Sequence, residues 1–174
     1  MTDPHPHAQW SGVMFDLMRD AGIDLFAHIP DAGNDQLIKL AEKHNDTRTV
    51  LLTTEEEGVA LCAGADLAGK RAVLCMQSSG LGNCANYLSL VKGGKFPLLM
   101  MISMRGDYGE QNPWQYPMGE AVEPLLAAMG VLVFKVERPD ELATATTAAI
   151  NASGKGAQAA AIVLSQKFLG AKGF

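Results

Sequence analysis

Residues 97–103 read Pro-Leu-Leu-Met-Met-Ile-Ser, and every position between the proline and the serine is apolar. Residues 72–76, Ala-Val-Leu-Cys-Met, have the same character. A strand that is apolar at every position must be covered on both of its faces, and helices that alternate with strands provide that cover in a parallel sheet. These two runs therefore predict interior strands of an α/β fold.

Outward from these runs, strand-like and helix-like segments alternate along the chain. Four more strands are predicted over residues 24–29, 48–53, 131–136 and 157–164. Six helices are predicted over residues 10–21, 35–44, 55–68, 83–91, 120–129 and 140–151. The predicted fold is a three-layer α/β domain with a six-stranded parallel sheet and helices on both faces. The length of 174 residues fits a single domain over residues 1–174.

Composition argues against several classes of function. The chain is 48% hydrophobic and 19% charged, as in globular domains, and its net charge of -5 without a basic run disfavours nucleic-acid binding. Its apolar stretches are too short to span a bilayer, and residues 1–7 lack a signal-peptide pattern. Cys62, Cys75 and Cys84 form no metal-ligand pattern and are expected to be reduced and buried. We expect a cytoplasmic protein without a membrane contact or a metal site of its own.

The carboxyl ends of parallel strands meet at one edge of a sheet, and ligands bind there in open α/β folds. The loops predicted at residues 29–34, 53–57, 77–83 and 104–118 should therefore share one edge. The last of them is long for a compact domain, and long irregular loops are usually functional. Function is expected at this edge.

Three consecutive glutamates, Glu55, Glu56 and Glu57, begin a predicted helix directly after a predicted strand. Helix capping explains part of this run, because Thr54 and Glu57 have the spacing of a capping box and carboxylates stabilise helix N-termini. Capping does not require a third carboxylate immediately after the strand. Glu55 is therefore the member of the run that we expect to be functional.

Other motifs have both functional and structural interpretations. Residues 64–70 have the Gly-x-x-x-x-Gly-Lys spacing of a phosphate loop, but arginine follows where serine or threonine is needed and the segment ends a helix, so this interpretation is rejected. Residues 80–82 give Gly-x-Gly without the third glycine of a dinucleotide site. His28 fits a site or a hydrogen-bonded core histidine, and Asp31 fits a site or a turn. Arg105 fits an anion contact or a surface ion pair.

Four motifs stand in chain order at the ends of four successive predicted strands. They are Pro30-Asp31, Thr54-Glu55-Glu56-Glu57-Gly58 with Ala63-Gly64-Ala65, Gln77-Ser78-Ser79-Gly80-Leu81-Gly82-Asn83 and Ser103-Met104-Arg105-Gly106. Together they resemble the pyrimidine-binding domain of thiamine diphosphate enzymes, above all the sulfopyruvate and phosphonopyruvate decarboxylases. The resemblance covers nearly the whole chain. It implies the thiamine diphosphate-binding fold, thiamine diphosphate as cofactor and decarboxylation of a 2-oxoacid.

The resemblance assigns cofactor contacts to two of these motifs. The glutamate nine residues before Gly64, which is Glu55, corresponds to the residue that contacts the aminopyrimidine ring of the cofactor in this family. A carboxyl shielded from water can share its proton with a ring nitrogen and favour the imino tautomer of the ring. The loop after the third strand is implied to line the cofactor cleft through Ser78, Ser79, Gly80, Leu81, Gly82 and Asn83.

The same likeness implies the residues on the substrate side. Asp31 matches an acidic residue that handles protons and substrate in the related pyruvate decarboxylases, so a catalytic role is expected for it beside Glu55. The implied substrate contacts are His28, Gln77, Arg105 and Gln115. Among them, Arg105 is the candidate for binding a sulfonate or phosphonate head group. The loop that holds Arg105 contains no pair of histidines, so the proton donor to the product carbanion is unassigned.

The resemblance also implies a second half of the active site. Family members hold the diphosphate and its metal ion through a Gly-Asp-Gly motif on another domain, but the nearest match here, Gly106-Asp107-Tyr108, lacks the second glycine. A separate β subunit is therefore expected to carry the diphosphate and Mg²⁺ in a hetero-oligomer. Two alternatives stay open: a thiamine-dependent carboligase or lyase subunit, and a non-catalytic flavodoxin-like module that binds a partner or small ligand.

Overall fold

The computed structural model describes residues 8–170, and the segment 1–7 of the signal-peptide prediction lies outside this range. Six strands are found within it: β1 (Ile23–His28), β2 (Arg48–Leu51), β3 (Arg71–Gln77), β4 (Leu98–Ser103), β5 (Leu132–Val136) and β6 (Ala159–Leu164). They form one sheet in the order β2-β1-β3-β4-β6-β5, and every neighbouring pair is parallel. The predicted six-stranded parallel sheet is confirmed.

Eight α-helices connect or follow these strands in the described range. They are α1 (Ala8–Asp20), α2 (Asp35–Lys43), α3 (Glu55–Leu67), α4 (Ser78–Cys84), α5 (Leu88–Gly94), α6 (Tyr116–Ala128), α7 (Leu142–Ser153) and α8 (Gln166–Leu169). Two short 3₁₀ helices, Pro113–Gln115 and Pro139–Glu141, precede α6 and α7.

The run that predicted the fold is β4, one of the two central strands of the sheet, and every one of its residues is buried. Successive side chains of a strand point to opposite faces. Leu99 and Met101 therefore pack in a core under α1, α2 and α7, whereas Met100 and Ile102 pack in a second core under α3 to α6. Each such side chain stabilises the fold by about 1.5–3 kcal/mol through burial. The uninterrupted apolar run is explained by these two cores.

The predicted boundary between loop and helix after β3 is wrong. A glycine loop was expected over residues 77–82 and a helix over 83–91, but α4 already begins at Ser78 and the chain breaks between Cys84 and Leu88 before α5. Glycine disfavours helix, but close tertiary contacts override that preference here. The last predicted loop is also shorter than expected, because α6 begins at Tyr116 rather than Glu120.

The predicted capping box of Thr54 and Glu57 is wrong by one residue. The Glu57 carboxylate accepts a hydrogen bond from the backbone N–H of Thr53 at 2.8 Å, and this bond lowers the pKa of Glu57. The Thr54 hydroxyl donates instead to the carboxylate of Glu56. Glu56 and Glu57 therefore both serve the start of α3, and Glu55 has no capping role in this arrangement.

Within residues 8–170, no helix combines the length and the apolar character needed to cross a membrane.

Cys62, Cys75 and Cys84 are free thiols buried in the cores, as predicted, and burial raises the pKa of Cys62 and of Cys84 to about 12. These thiols therefore stay protonated at neutral pH and pack as small hydrophobic groups.

Candidate active site

The predicted edge exists, because polar side chains from the ends of β1, β3 and β4 hydrogen-bond to one another there. Asp31, three residues beyond β1, accepts a bond from the Gln77 amide at the end of β3 at 3.0 Å. It also accepts bonds from the Ser103 hydroxyl at the end of β4 and from the backbone N–H of Gly33 at 2.9 Å. The Gln77 side-chain oxygen in turn accepts a bond from the Ser79 hydroxyl at 2.9 Å. Asp31, Gln77 and Ser79 are thus brought together as predicted.

Glu55 lies at the first position of α3, half-buried, with its carboxyl against α4. The side-chain amide of Asn83 donates to Glu55 Oε2 at 2.8 Å. Gly80 lies so close to the Glu55 carboxyl that a Cβ at this position would collide with Oε1, Cδ and Cγ. No hydrogen bond to Oε1 is found from the part of the chain that the structure describes. One carboxylate oxygen is therefore oriented by the protein and the other is available to a ligand.

The remaining members of the predicted cofactor loop divide into buried and exposed residues. The Ser78 hydroxyl is buried, donates to the carbonyl of Arg105 at 3.2 Å and accepts from its N–H at 3.0 Å, which joins the ends of β3 and β4. Leu81 is fully buried in the core under α3 to α6. Ser79, Gly82 and Asn83 are exposed. Ser78 and Leu81 therefore hold α4 in place, whereas Ser79, Gly82 and Asn83 lie on its exposed side.

The structure places Arg105 in an ion pair rather than free in the cleft. Its guanidinium donates two bonds to the carboxylate of Glu110, at 2.5 Å from Nε and 2.6 Å from Nη2. The side chain of Glu110 is fully buried, and that of Arg105 is 11% exposed. The pairing lowers the pKa of Glu110 well below its ordinary value and raises that of Arg105. Recruitment of Arg105 to a substrate anion stays a prediction.

The Glu110 carboxylate joins several parts of the loop between β4 and α6 through hydrogen bonds. Besides Arg105, its carboxylate accepts bonds from the backbone N–H groups of Gly106, Gln111 and Asn112, at 3.2, 3.0 and 2.9 Å. The side-chain amide of Gln166 donates to it at 2.9 Å from the first residue of α8. Six donors therefore satisfy one buried carboxylate, and this network fixes the loop beside the cleft.

Two predicted substrate residues are less closely connected to the site. His28 is buried at the end of β1, and its Nδ1 has no hydrogen-bond partner among the described residues. Gln115 is half-buried in the 3₁₀ helix before α6, where its carbonyl lies against Gly106. Its substrate contact stays a prediction.

No role was predicted from sequence for Asn34, Glu110 or Gln166, and Ser103 was named only as the first residue of a motif. Ser103 had a usable signal, since it is the polar residue that ends an otherwise apolar strand. Glu110 had none, because its partners come from its own loop and from α8, which was not predicted. Within residues 8–170, no three His, Cys, Asp or Glu side chains are grouped so that they could hold a metal ion.

The fold has a counterpart among solved structures. A 2-oxoglutarate:ferredoxin oxidoreductase from Magnetococcus marinus, with 2-oxoglutarate, coenzyme A and succinyl-CoA bound, matches with a TM-score of 0.72 at 21% sequence identity. The match covers 92% of this chain and 29% of that chain. At this identity it defines the class of the fold, a three-layer α/β domain that also occurs within a longer oxidoreductase chain.

Sequence comparison defines the family. No model of a known protein family matches the chain. The sulfopyruvate decarboxylase subunit alpha of Methanocaldococcus jannaschii is 40% identical over 129 residues, which are 74% of this chain and 76% of the relative. That of Methanococcus maripaludis is 37% identical over 132 residues, 75% and 79% of the two chains. A phosphonopyruvate decarboxylase of Streptomyces viridochromogenes is 34% identical over 107 residues, 60% of this chain and 27% of the relative. The chain belongs to the family of sulfopyruvate decarboxylase α subunits, which confirms the resemblance seen in the four motifs.

Proposed function

We propose that this chain is the α subunit of a thiamine diphosphate-dependent decarboxylase that acts on an anionic 3-substituted pyruvate such as sulfopyruvate or phosphonopyruvate. One observation carries the proposal. In a chain of this family, Glu55 presents a carboxylate at the ligand-binding edge of the sheet, with one oxygen bound by Asn83 and the other without a protein partner in the described range. The cofactor, when bound, supplies the electron sink for loss of carbon dioxide from a 2-oxoacid.

The residues present fit the aminopyrimidine end of thiamine diphosphate. A ring nitrogen that shares a proton with a carboxyl needs an oxygen that is not already hydrogen-bonded, and Oε1 of Glu55 provides it. Asn83 holds the other oxygen at 2.8 Å and so fixes the plane of the carboxyl. Gly80 has no side chain to compete for the space beside it. Glu55 would hold and move the proton, whereas Asn83 and Gly80 would position Glu55.

The diphosphate end is proposed to be bound by a separate β subunit through Mg²⁺. The relatives named above are α subunits, which supports a partner chain. Asp107, in the segment nearest to a Gly-Asp-Gly motif, is occupied within this chain, because its carboxylate accepts the backbone N–H of Gln166 at 3.1 Å. A hetero-oligomer with an active site shared between the two chains follows from the proposal. A cytoplasmic location stays a prediction, and the three buried free thiols support it.

The proposed function is tested with the α chain and the β chain purified separately and then mixed. Sulfopyruvate, phosphonopyruvate and pyruvate are supplied in turn with thiamine diphosphate and Mg²⁺, and carbon dioxide and the organic product are measured. We expect decarboxylation of a sulfonate or phosphonate substrate to the aldehyde by the mixture, with pyruvate poorer and the α chain alone inactive. Rapid turnover by the α chain alone, or a product with a new carbon–carbon bond, would contradict the proposal.

A substitution at Gly80 tests the position of the Glu55 carboxyl and leaves Glu55 and Asp31 themselves unchanged. In Gly80→Ala the new methyl group collides with the Glu55 carboxyl, so the carboxyl must move, although alanine favours helix over glycine by about 1 kcal/mol. We expect kcat of the mixed complex to fall by about tenfold or more, without loss of thermal stability. The matched control is Gly93→Ala in α5, whose Cβ would meet no other atom within 4 Å. Wild-type rates for both variants would show that the close approach at Gly80 has no catalytic role.

A further inference from the structure

The Asp31 carboxylate differs from that of Glu55, because both of its oxygens are bonded by the protein. Oδ1 accepts a hydrogen bond from Nε2 of Gln77 at 3.0 Å. Oδ2 accepts bonds from the backbone N–H of Gly33 at 2.9 Å and from the Ser103 hydroxyl. These donors come from the turn after β1, the end of β3 and the end of β4. Three segments that are distant in sequence therefore restrain one carboxylate.

The Ser103 hydroxyl has one proton and two acceptors within reach. They are Oδ2 of Asp31 and the carbonyl oxygen of Met76, the latter at 3.4 Å. A hydroxyl bonds more strongly to a charged carboxylate than to a neutral carbonyl. Ser103 is 2% exposed, so water competes little for the bond. The Ser103 proton is therefore directed at Asp31.

The Gln77 side chain is oriented by partners at both ends of its amide. Its Oε1 accepts a bond from the Ser79 hydroxyl at 2.9 Å, while its Nε2 donates to Asp31. An ionised carboxylate can only accept hydrogen bonds, so the amide must present its nitrogen to Asp31 and its oxygen to Ser79. Gln77 is thereby held as a donor to Asp31.

Gly33 leaves the space in which Asp31 and Ser103 meet. A Cβ added at this position would collide with the Cβ and Oγ of Ser103 and with Oδ2 of Asp31. Only a residue without a side chain lets the backbone N–H approach the carboxylate this closely. The packing at Gly33 therefore restrains the same carboxylate that the hydrogen bonds orient.

The charge nearby favours the ionised form of Asp31. The pKa of Arg105 is raised chiefly by its hydrogen bond to Glu110, and the negative charge of Asp31 raises it further. This attraction is mutual, so Arg105 favours a charged Asp31, and hydrogen bonds donated to a carboxylate favour its charged form as well. The described contacts thus present Asp31 as a carboxylate with a defined orientation.

We propose that Ser103 and Gln77 are positioning residues that hold the Asp31 carboxylate in its working orientation at the candidate active site. The inference rests on the proposed function and on a catalytic role of Asp31 within it. It gives Gln77 a different role from the substrate contact predicted from the sequence. A displacement of a catalytic group by about 1 Å can lower a rate by about 10²-fold, so loss of either donor should slow the reaction through Asp31.

A double-mutant cycle in the mixed complex tests this role, with Ser103→Ala, Asp31→Ala and the double variant. Single-turnover rates are measured with the complex in excess over the 2-oxoacid, so that slow variants can be followed. We expect Ser103→Ala to lower the rate by about tenfold when Asp31 is present and by less than twofold in Asp31→Ala. A purely structural role of Ser103 would lower the rate by the same factor in both backgrounds.

Ser153→Ala is the matched control for removal of a buried serine hydroxyl. Ser153 is 4% exposed, and its hydroxyl donates to the Ile150 carbonyl within α7 at 3.2 Å. We expect this variant to keep the wild-type rate.

Gln77→Met repeats the cycle from the other carboxylate oxygen and covers the case in which Ser103→Ala assembles poorly. Methionine has a similar length but no amide to donate, so the loss should again depend on the presence of Asp31. Equal losses in the two backgrounds, or wild-type rates for Ser103→Ala and Gln77→Met, would overturn the positioning role while the wild-type complex still decarboxylates its substrate. A wild-type complex that decarboxylates none of the three substrates would overturn the proposed function, and this inference with it.

Discussion

Replacing Glu55 with glutamine is expected to lower kcat of the mixed complex by about 10²- to 10⁴-fold, the range associated with loss of a general acid or base. Glutamine keeps the size of the side chain and can still bond to Asn83, but it cannot share a proton with a ring nitrogen. Because Glu55 takes no part in capping α3, the thermal unfolding midpoint of the complex should change little. The measurement is steady-state decarboxylation at saturating cofactor and substrate.

Glu56→Gln is the control for this prediction. Glu56 is the next residue in the chain and also a glutamate, but its carboxylate accepts the hydrogen bond of the Thr54 hydroxyl at the start of α3. We expect this variant to retain kcat within about twofold, since the carboxylate of Glu56 contacts Thr54 rather than Asn83 or Gly80. If both variants kept wild-type rates, Glu55 would be a surface residue of a helix N-terminus and the proposed cofactor role would be wrong.

Replacing Glu110 with alanine is expected to cause the largest loss of stability, about 3–5 kcal/mol. Removal of one partner of a buried ion pair leaves the other uncompensated, and here Arg105 would be left beside three unpaired backbone N–H groups. The measurement is chemical unfolding of the mixed complex. Glu137→Ala is the control, because Glu137 is partly exposed and its pairs with Lys135 and Lys167 span 3.4 and 3.5 Å. If Glu110→Ala lost no more stability than Glu137→Ala, the Glu110 carboxylate would not hold the loop between β4 and α6 together.

The low pKa of Glu110 adds a dependence on pH to the same comparison. Its folded-state pKa lies below the ordinary value of 4.5, so its contribution is fully present above about pH 4.5 and is lost as the pH falls toward the folded-state value. Wild-type stability should therefore fall on acidification below about pH 4.5, whereas Glu110→Gln should lose less over the same interval. If the stability of wild type and of Glu110→Gln fell equally on acidification, Glu110 would not be held as a buried carboxylate.

The sequence predicted the sheet well because the two cores impose a local signature. Residues 98–102 must be apolar at every position, because helices cover both faces of this strand. Glu55 was predicted for a related reason. Helix capping accounts for Glu56 and Glu57 by local rules, so the unexplained carboxylate of the run was the one to expect in the site.

The errors share a cause in long-range contacts. The glycines of α4 resemble a loop when read locally, but Gly80 is in a helix that packs against Glu55, 25 positions earlier in the chain. Ser103 joins Asp31 from 72 positions away. Such partners become visible only when the strands are placed side by side. The ion pair of Arg105 with Glu110 is one of the two interpretations that the sequence left open, and its partner was not predicted because the pair depends on a loop conformation that no local pattern specifies.

Exchange of the carbon-bound proton of the cofactor's thiazolium ring with deuterium, in the mixed complex and without substrate, tests the central claim most directly. If Glu55 activates the bound cofactor, this exchange should slow in Glu55→Gln by about the same factor as kcat and stay at the wild-type rate in Glu56→Gln. Equal exchange rates in wild type and Glu55→Gln, with the cofactor bound in both, would contradict the claim.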